Sequence, residues 1–368
     1  MNQHKKLIMR LVLLSIAFII VAQYNSFAQG CVAIRTTGGY CAAGAAAHSD
    51  SSASKWSLNI NNRYFKSFRH FVGTVEQKQR LEEQTEVINY AYAADFAVTR
   101  TINKWWSFTV DVPVIANTRS SLYEHGGKKR HSTKSFGLGD IRVAAYRWLL
   151  DPAKMPKGNI QVGLGIKLPT GDYKVQDFFY TSDTTKALGP VDQSIQLGDG
   201  GTGFTTEINA YYNFNKHIGV YGNFYYLLNP REHNGVTSSR QNAPAASAIL
   251  YGSATMSVPD QYMIRAGINF TAGNFTASAG VREERLPAKD LVGGSAGFRR
   301  PGYIYSVEPG VSYKLKAVTF YAFVPYAFKR DRTQSYADKS RTAITGVYAQ
   351  GDAAFADYAV NIGCSINF

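Results

Sequence analysis

From residue 55 onward the chain alternates. Between Trp106 and Ile115, Phe108, Val110, Val112 and Val114 fall on one side of an extended backbone, and Ser107, Thr109, Asp111 and Pro113 on the other. A period of two marks a strand with one apolar face. Ile160, Val162, Leu164, Ile166 and Leu168 alternate with Gln161, Gly163, Gly165 and Lys167; Tyr262, Ile264, Ala266, Ile268 and Phe270 alternate with Met263, Arg265, Gly267 and Asn269. The last segment repeats the rule, with Tyr358, Val360, Ile362, Cys364, Ile366 and Phe368 on one face. The pattern predicts about twelve strands, near 54–66, 86–101, 105–117, 136–150, 158–172, 201–214, 218–229, 252–270, 275–286, 301–315, 318–330 and 352–368. Helical periodicity is not evident after residue 54.

The connections alternate too. Short ones fall at 102–104, 151–157, 215–217, 271–274 and 315–317, and long polar ones near 67–85, 118–135, 173–200, 230–251, 287–300 and 331–351. Every long connection therefore lies on one side of the sheet, the arrangement of an outer-membrane barrel. Lipid offers a backbone no hydrogen-bonding partner, so strands cross it only in a closed sheet without edges. The expected fold is an all-β transmembrane antiparallel barrel of about twelve strands, residues 54–368, with short periplasmic turns and long extracellular loops. A soluble β-sandwich also alternates, but it rarely keeps so regular a rhythm of short turn and long loop. Trp105, Trp106 and Trp148 near short turns, and Tyr64, Tyr123 and Tyr180 toward the other rim, suit interfacial girdles.

The amino-terminal residues set the compartment. Lys5, Lys6 and Arg10 precede an apolar run from Leu11 to Ala22, and Ser26-Phe27-Ala28 has the small-x-small form of a signal-peptidase site. Residues 1–28 read as a signal peptide, since the apolar run falls short of the roughly 20 residues of a membrane anchor. Residues 29–53, rich in Gly, Ala and Ser, are a periplasmic segment or a lumen plug. Two readings of the cysteines remain open: a small disulfide loop between Cys31 and Cys41, or acylation at Cys31.

Composition narrows the function classes. At 45% hydrophobic residues the chain is not disordered, and three cysteines without a CxxC pair exclude a disulfide scaffold or zinc module. The formal charge of +14 is spread along the sequence, so no nucleic-acid partner is expected. The one basic cluster, Lys128-Lys129-Arg130-His131, lies in a long loop, open to acidic lipopolysaccharide or simply solvated. Gly198 to Gly203 has GxGxxG spacing but leads into an alternating segment rather than a helix, so it is no dinucleotide site. The histidines are scattered, and His233 with Ser238 and Ser239 is the only hint of a hydrolase. Neither enzyme activity nor a cofactor is expected.

If the apolar faces meet lipid, the other faces line a lumen. The candidate lumen-lining charges are Arg63, Asp95, Asp111, Asp140, Arg142, Lys167, Glu207, Arg265, Arg282, Glu284, Glu308 and Asp357, five basic and seven acidic. A mixed belt of this kind either braces the wall through ion pairs or selects solutes, and strong selectivity for one sign of charge is not expected. Asp140, Arg142 and Lys167 are placed to form a knot.

Gly137-Leu138-Gly139-Asp140, followed by Leu168-Pro169-Thr170-Gly171-Asp172, resembles the paired motif of the outer-membrane family named after the phenol-degradation MetA pathway. The match is clearest over about 40 residues. The resemblance implies a barrel that passes small, often hydrophobic or aromatic, molecules. Phe368 is similar to the terminal aromatic residue through which such barrels engage the barrel-assembly machinery. The functional expectation is facilitated diffusion of small solutes across an outer membrane, in contact with its lipid and lipopolysaccharide. The other reading is a structural or surface-binding barrel with an occluded lumen and working loops.

Overall fold

The computed structural model describes residues 55–126, 129–240 and 243–368, together with the backbone of 29–30. The expected signal peptide, Cys31, Cys41 and almost all of segment 29–53 lie outside the described residues. Twelve antiparallel wall strands close into a barrel. They are β1 Trp56–Val72, β2 Ile88–Thr101, β3 Trp106–Ser121, β4 in two halves (His131–Leu138 and Arg142–Trp148), β5 Gly158–Lys167 and β6 Gly203–Asn213. The circuit continues through β7 Ile218–Leu228, β8 Gln261–Ala272, β9 Phe275–Leu286, β10 Gly302–Leu315, β11 in two halves (Val318–Phe323 and Tyr326–Asp331) and β12 Ala353–Asn367. Pairing of β12 with β1, from Ser57 opposite Asn367 to Phe71 opposite Ala353, closes it. The twelve segments read from alternation are these strands, although β1 and β3 run further outward than expected and β5 and β8 are shorter.

The wall is inverted relative to a soluble core. Its apolar side chains face out, with Leu164 63%, Ile268 59% and Ile362 54% exposed, while polar and charged side chains of the same strands are buried inside. Trp56, Trp106, Tyr212, Phe214, Tyr313 and Phe368 ring the short-turn end, and Tyr64, Tyr92, Tyr262, Tyr305 and Tyr358 ring the other. These are the two aromatic girdles of a membrane barrel. Trp148 departs from the expectation: it shares the inward parity of Ala144 and Tyr146 and meets Tyr211 edge-on at 6.1 Å. Tyr123 and Tyr180 sit in loops, Tyr180 stacked on His131 at 3.8 Å.

Two strands break beside proline. Pro325 divides β11, where a residue without an N–H interrupts the ladder. The β4 break lies opposite Pro113. Val114 pairs with Leu138 and Asp111 with Arg142, so three residues, Gly139 to Ile141, face two on β3. This bulge reverses which parity points inward, Thr133 and Ser135 above it and Arg142, Ala144 and Tyr146 below. Above the β11 break the edge of β12 meets the backbone of Gln29 and Gly30, which pair with Ala356 and Phe355.

Glycines on the inner wall make room for rings on the neighbouring strand. A Cβ on Gly163 would stand 2.4 Å from the Tyr146 ring, and one on Gly310 2.2 Å from Phe323. Gly163→Ala should therefore destabilise the barrel by about 1–3 kcal/mol, the range for overpacking, read as a lower urea midpoint in detergent. An unchanged midpoint would mean that the ring does not lie across this strand.

The long loops are folded. Residues 168–202 contain a hairpin, Gln176–Tyr180 with Lys186–Pro190, and a 3-10 turn, Gln193–Ile195. The last loop carries a ten-residue helix, Tyr336–Thr345, started by a reciprocal capping box between Ser335 and Asp338 and ended at Gly346 with φ 70°.

Candidate functional site in the barrel lumen

The interior is layered. Near the short turns it is neutral: Asn223 donates to Asn209, Tyr321 donates to Asn59 at 2.8 Å, and Thr99 and Thr109 share a hydrogen bond of 2.7 Å. The charges lie above this layer. Arg63, Asp95, Asp111, Arg142, Lys167, Glu207, Arg265, Arg282, Glu284 and Glu308 are buried, and Asp140 and Asp357 are half-buried.

The charges gather into knots. Arg142 on β4 pairs with Glu207 on β6 and lies 3.7 Å from Asp111 on β3; Tyr146 donates to the same Glu207 at 3.0 Å. Across β8, β9 and β10, Glu308 accepts from Arg265 at 3.1 Å and from Arg282 at 3.0 Å, and Arg282 reaches Glu284 at 2.7 Å. Asp357 lies 3.5 Å from Arg69, which also holds Glu76. Lys167 meets Asp140 at 3.4 Å, but its close partner is Asp199, a loop residue outside the expected set. Arg142 is the register neighbour of Lys167 yet pairs elsewhere.

The Gly-Leu-Gly-Asp and Leu-Pro-Thr-Gly-Asp segments meet at the β4 bulge. Thr170 Oγ1 donates to the Gly139 carbonyl and accepts from Ile141 N–H at 2.8 Å. The Asp140 carboxylate accepts from the backbone N–H of Gly171 at 3.0 Å and of Asp199 at 3.2 Å. A Cβ on Gly171 would come within 2.7 Å of the Leu197 carbonyl, and one on Gly198 within 2.5 Å of Asp140. Only bare backbone fits there. The paired motif thus turns the β5–β6 loop back into the barrel, where Val191 and Ile195 are completely buried. The Ile195 carbonyl accepts from Ser135 and Asn117 on the inner wall.

Ions fasten this inserted turn. Asp192 receives Arg300, from the β9–β10 loop, through bonds of 2.9 and 2.7 Å, stands 3.4 Å from Arg119 on β3, and caps its own turn by accepting from Ser194 N–H at 3.0 Å. Arg119 also grips Glu124, which Arg240 reaches at 2.7 Å. Arg299 and Asp290, both wholly buried, pair at 2.6 Å. Alternation could not reveal Asp192, Asp199, Glu124, Arg240, Arg299 or Arg300, because folded loops have no period. Within the basic cluster Arg130 is engaged: it donates to the carbonyls of Glu86 and Gln84 and pairs with Glu86 at 3.1 Å.

Between the inserted turn and the charged wall lies a cavity of about 220 Å3. Arg63, Asp95, Asp111, Arg142 and Lys167 contribute its charged side, and Phe65, Ile115, Tyr225, Leu227 and Met256 its apolar side.

An apolar band between two aromatic girdles, around a polar interior in a sheet without edges, defines a multi-pass outer-membrane β-barrel. The fold is similar to that of the COG4313 outer-membrane channel from Pseudomonas putida F1, with a TM-score of 0.54 and 9% identity over 86% of this chain and 96% of that one. Weaker likenesses include a Pseudomonas aeruginosa FadL homologue (0.41, 7% identity, 86% and 91% covered) and the CymD monoaromatic hydrocarbon channel (0.39, 10% identity, 91% and 93% covered), scores too low to bear on the fold. No protein-family model and no curated protein matches the sequence.

Proposed function

We propose that this barrel passes small solutes, apolar or aromatic ones included, across the outer membrane by facilitated diffusion, along the buried charges named above. The cavity between wall and inserted loop carries this reading. It lies on the barrel axis side of the strands, pairs an apolar surface with a charged one, and is small beside the roughly 300–1,000 Å3 of pockets for drug-sized ligands. Passage then requires the turn around Asp192 to move, so the channel is gated. The inserted turn, tied to the inner wall, also favours an occluded structural barrel, and one experiment separates the two. Liposome swelling across sugars, amino acids and small aromatics should show entry of the smallest solutes into vesicles holding the protein. Vesicles as tight as protein-free ones, with both the unaltered chain and Asp192→Ala, would leave only the occluded barrel. Insertion through the assembly machinery by way of β12 belongs to the same proposal.

A further inference from the structure

Among the carboxylates lining the cavity, Asp95 stands apart. Asp140 and Asp199 share Lys167, and Asp111 faces Arg142. Asp95 is 7% exposed, and among the described residues it has no ion-pair partner. Its register explains why. Opposite it on β1 is Asn61, whose Nδ2 donates one long hydrogen bond of 3.5 Å to Oδ2, and opposite it on β3 is Pro113, which offers no donor at all. Along its own strand the same face carries Ala93 and Ala97, both buried. Asp95 Oδ1 is left buried without a hydrogen-bond partner, and the residue lines the cavity. Buried carboxylates are normally paired or fully hydrogen-bonded, and one with no ion pair, where Asp111, Asp140, Glu207, Glu284, Glu308 and Asp357 each meet a cation, points to a partner that arrives from outside.

We infer that the cavity is a binding site for small organic amines, the ammonium group meeting Asp95 and the hydrocarbon body lying against Phe65, Ile115, Leu227 and Met256. An ammonium supplies both the missing charge and up to three donors; a hydroxyl supplies one donor and no charge. An anion has nothing to meet, because Arg142, Lys167 and Arg300 are held by carboxylates and Arg63 is engaged within the protein. The cavity volume suits a body of about a single ring. This inference deepens the channel reading and rests on its cavity.

Three molecules of nearly one shape test it: benzylamine, benzyl alcohol and benzoate. Calorimetry on the detergent-solubilised barrel at neutral pH should show benzylamine binding at least tenfold more tightly than benzyl alcohol, with benzoate undetectable. Asp95→Asn, which keeps the shape and removes the charge, should erase that preference while leaving the alcohol unchanged. The site is overturned if alcohol or benzoate matches the amine in the unaltered protein, or if the preference survives in D95N. A gel-shift check for heat-modifiable migration establishes that D95N is folded, and the unaltered protein's ranking decides the matter if it is not. Liposome swelling with the same molecules keeps the two readings apart. Entry of all three without any amine preference sinks the site and retains the channel, whereas amine binding without entry of any solute retains the site and sinks the channel.

Discussion

Glu308→Gln should lower the stability of the barrel by about 3–5 kcal/mol, the cost of removing one partner from a buried ion pair. Glu308 is 1% exposed and answers two guanidinium groups, Arg265 and Arg282, that are themselves buried. Without its charge Arg265 loses the only carboxylate that contacts it in the described ion pairs, while Arg282 keeps Glu284. The urea midpoint of the folded band in detergent measures the effect. Adding Arg265→Leu to the same chain should recover part of the loss, because an uncompensated buried charge costs more than an absent pair. A midpoint unmoved by Glu308→Gln would show that water reaches the quartet and that the interior there is not packed.

On the proposed function, Asp192→Ala should open the barrel to solutes. Asp192 joins three elements, Arg119 of the wall, the inserted turn and Arg300 of the β9–β10 loop. Its removal takes from Arg300 the carboxylate that holds it and leaves Arg119 to Glu124, so the tie between wall, turn and loop is lost. Loss of about 3 kcal/mol from the docked state shifts the closed-to-open ratio more than a hundredfold, so conductance in planar bilayers should change from brief openings to a sustained level. Acid should reproduce the effect only far down the scale. Burial pushes the Asp192 carboxyl up, but Arg119 and Arg300 more than offset this and hold it well below the usual carboxylate range. A lowered folded value means that closure is complete above about pH 4, the ordinary carboxyl value, and is lost as pH falls through the lowered one. Asp352 behaves alike in the last loop: burial raises it, yet the hydrogen bond from His70 and the charge of Arg80 bring it to about 2. Conductance should therefore stay level from pH 8 to pH 4 and rise below that. A rise between pH 7 and pH 5 would assign the latch to other groups.

The wall was legible because its code is local. In Phe108-Thr109-Val110-Asp111 each residue reports its own side, and a missing edge forces every strand to follow the same rule. Departures occur where one residue changes the count. The bulge at Gly139 to Ile141 moves Asp140 off the strand into the hairpin junction, and puts Trp148 inside rather than in a girdle. The helix after Ser335 was announced by Ser-x-x-Asp, a signal that alternation-based reading passes over. Asp192, Asp199 and Arg300 have no such mark, since their positions depend on loops from different strand pairs meeting inside the barrel. Candidate charges on the strands could be read from parity; their partners could not. The neighbour expected for Lys167 was Asp140 with Arg142, whereas Asp199 now completes its contact and Arg142 turns to Glu207.

Each strand is held to divide oil from a polar interior, and this is most directly tested by depth. Single cysteines at Val110 and Ile264, in a chain without Cys31, Cys41 and Cys364, can carry nitroxide labels in reconstituted vesicles. The outward faces predict fast relaxation by oxygen dissolved in lipid and protection from a water-soluble nickel chelate at both positions. Collision with the nickel reagent and not with oxygen would contradict the account.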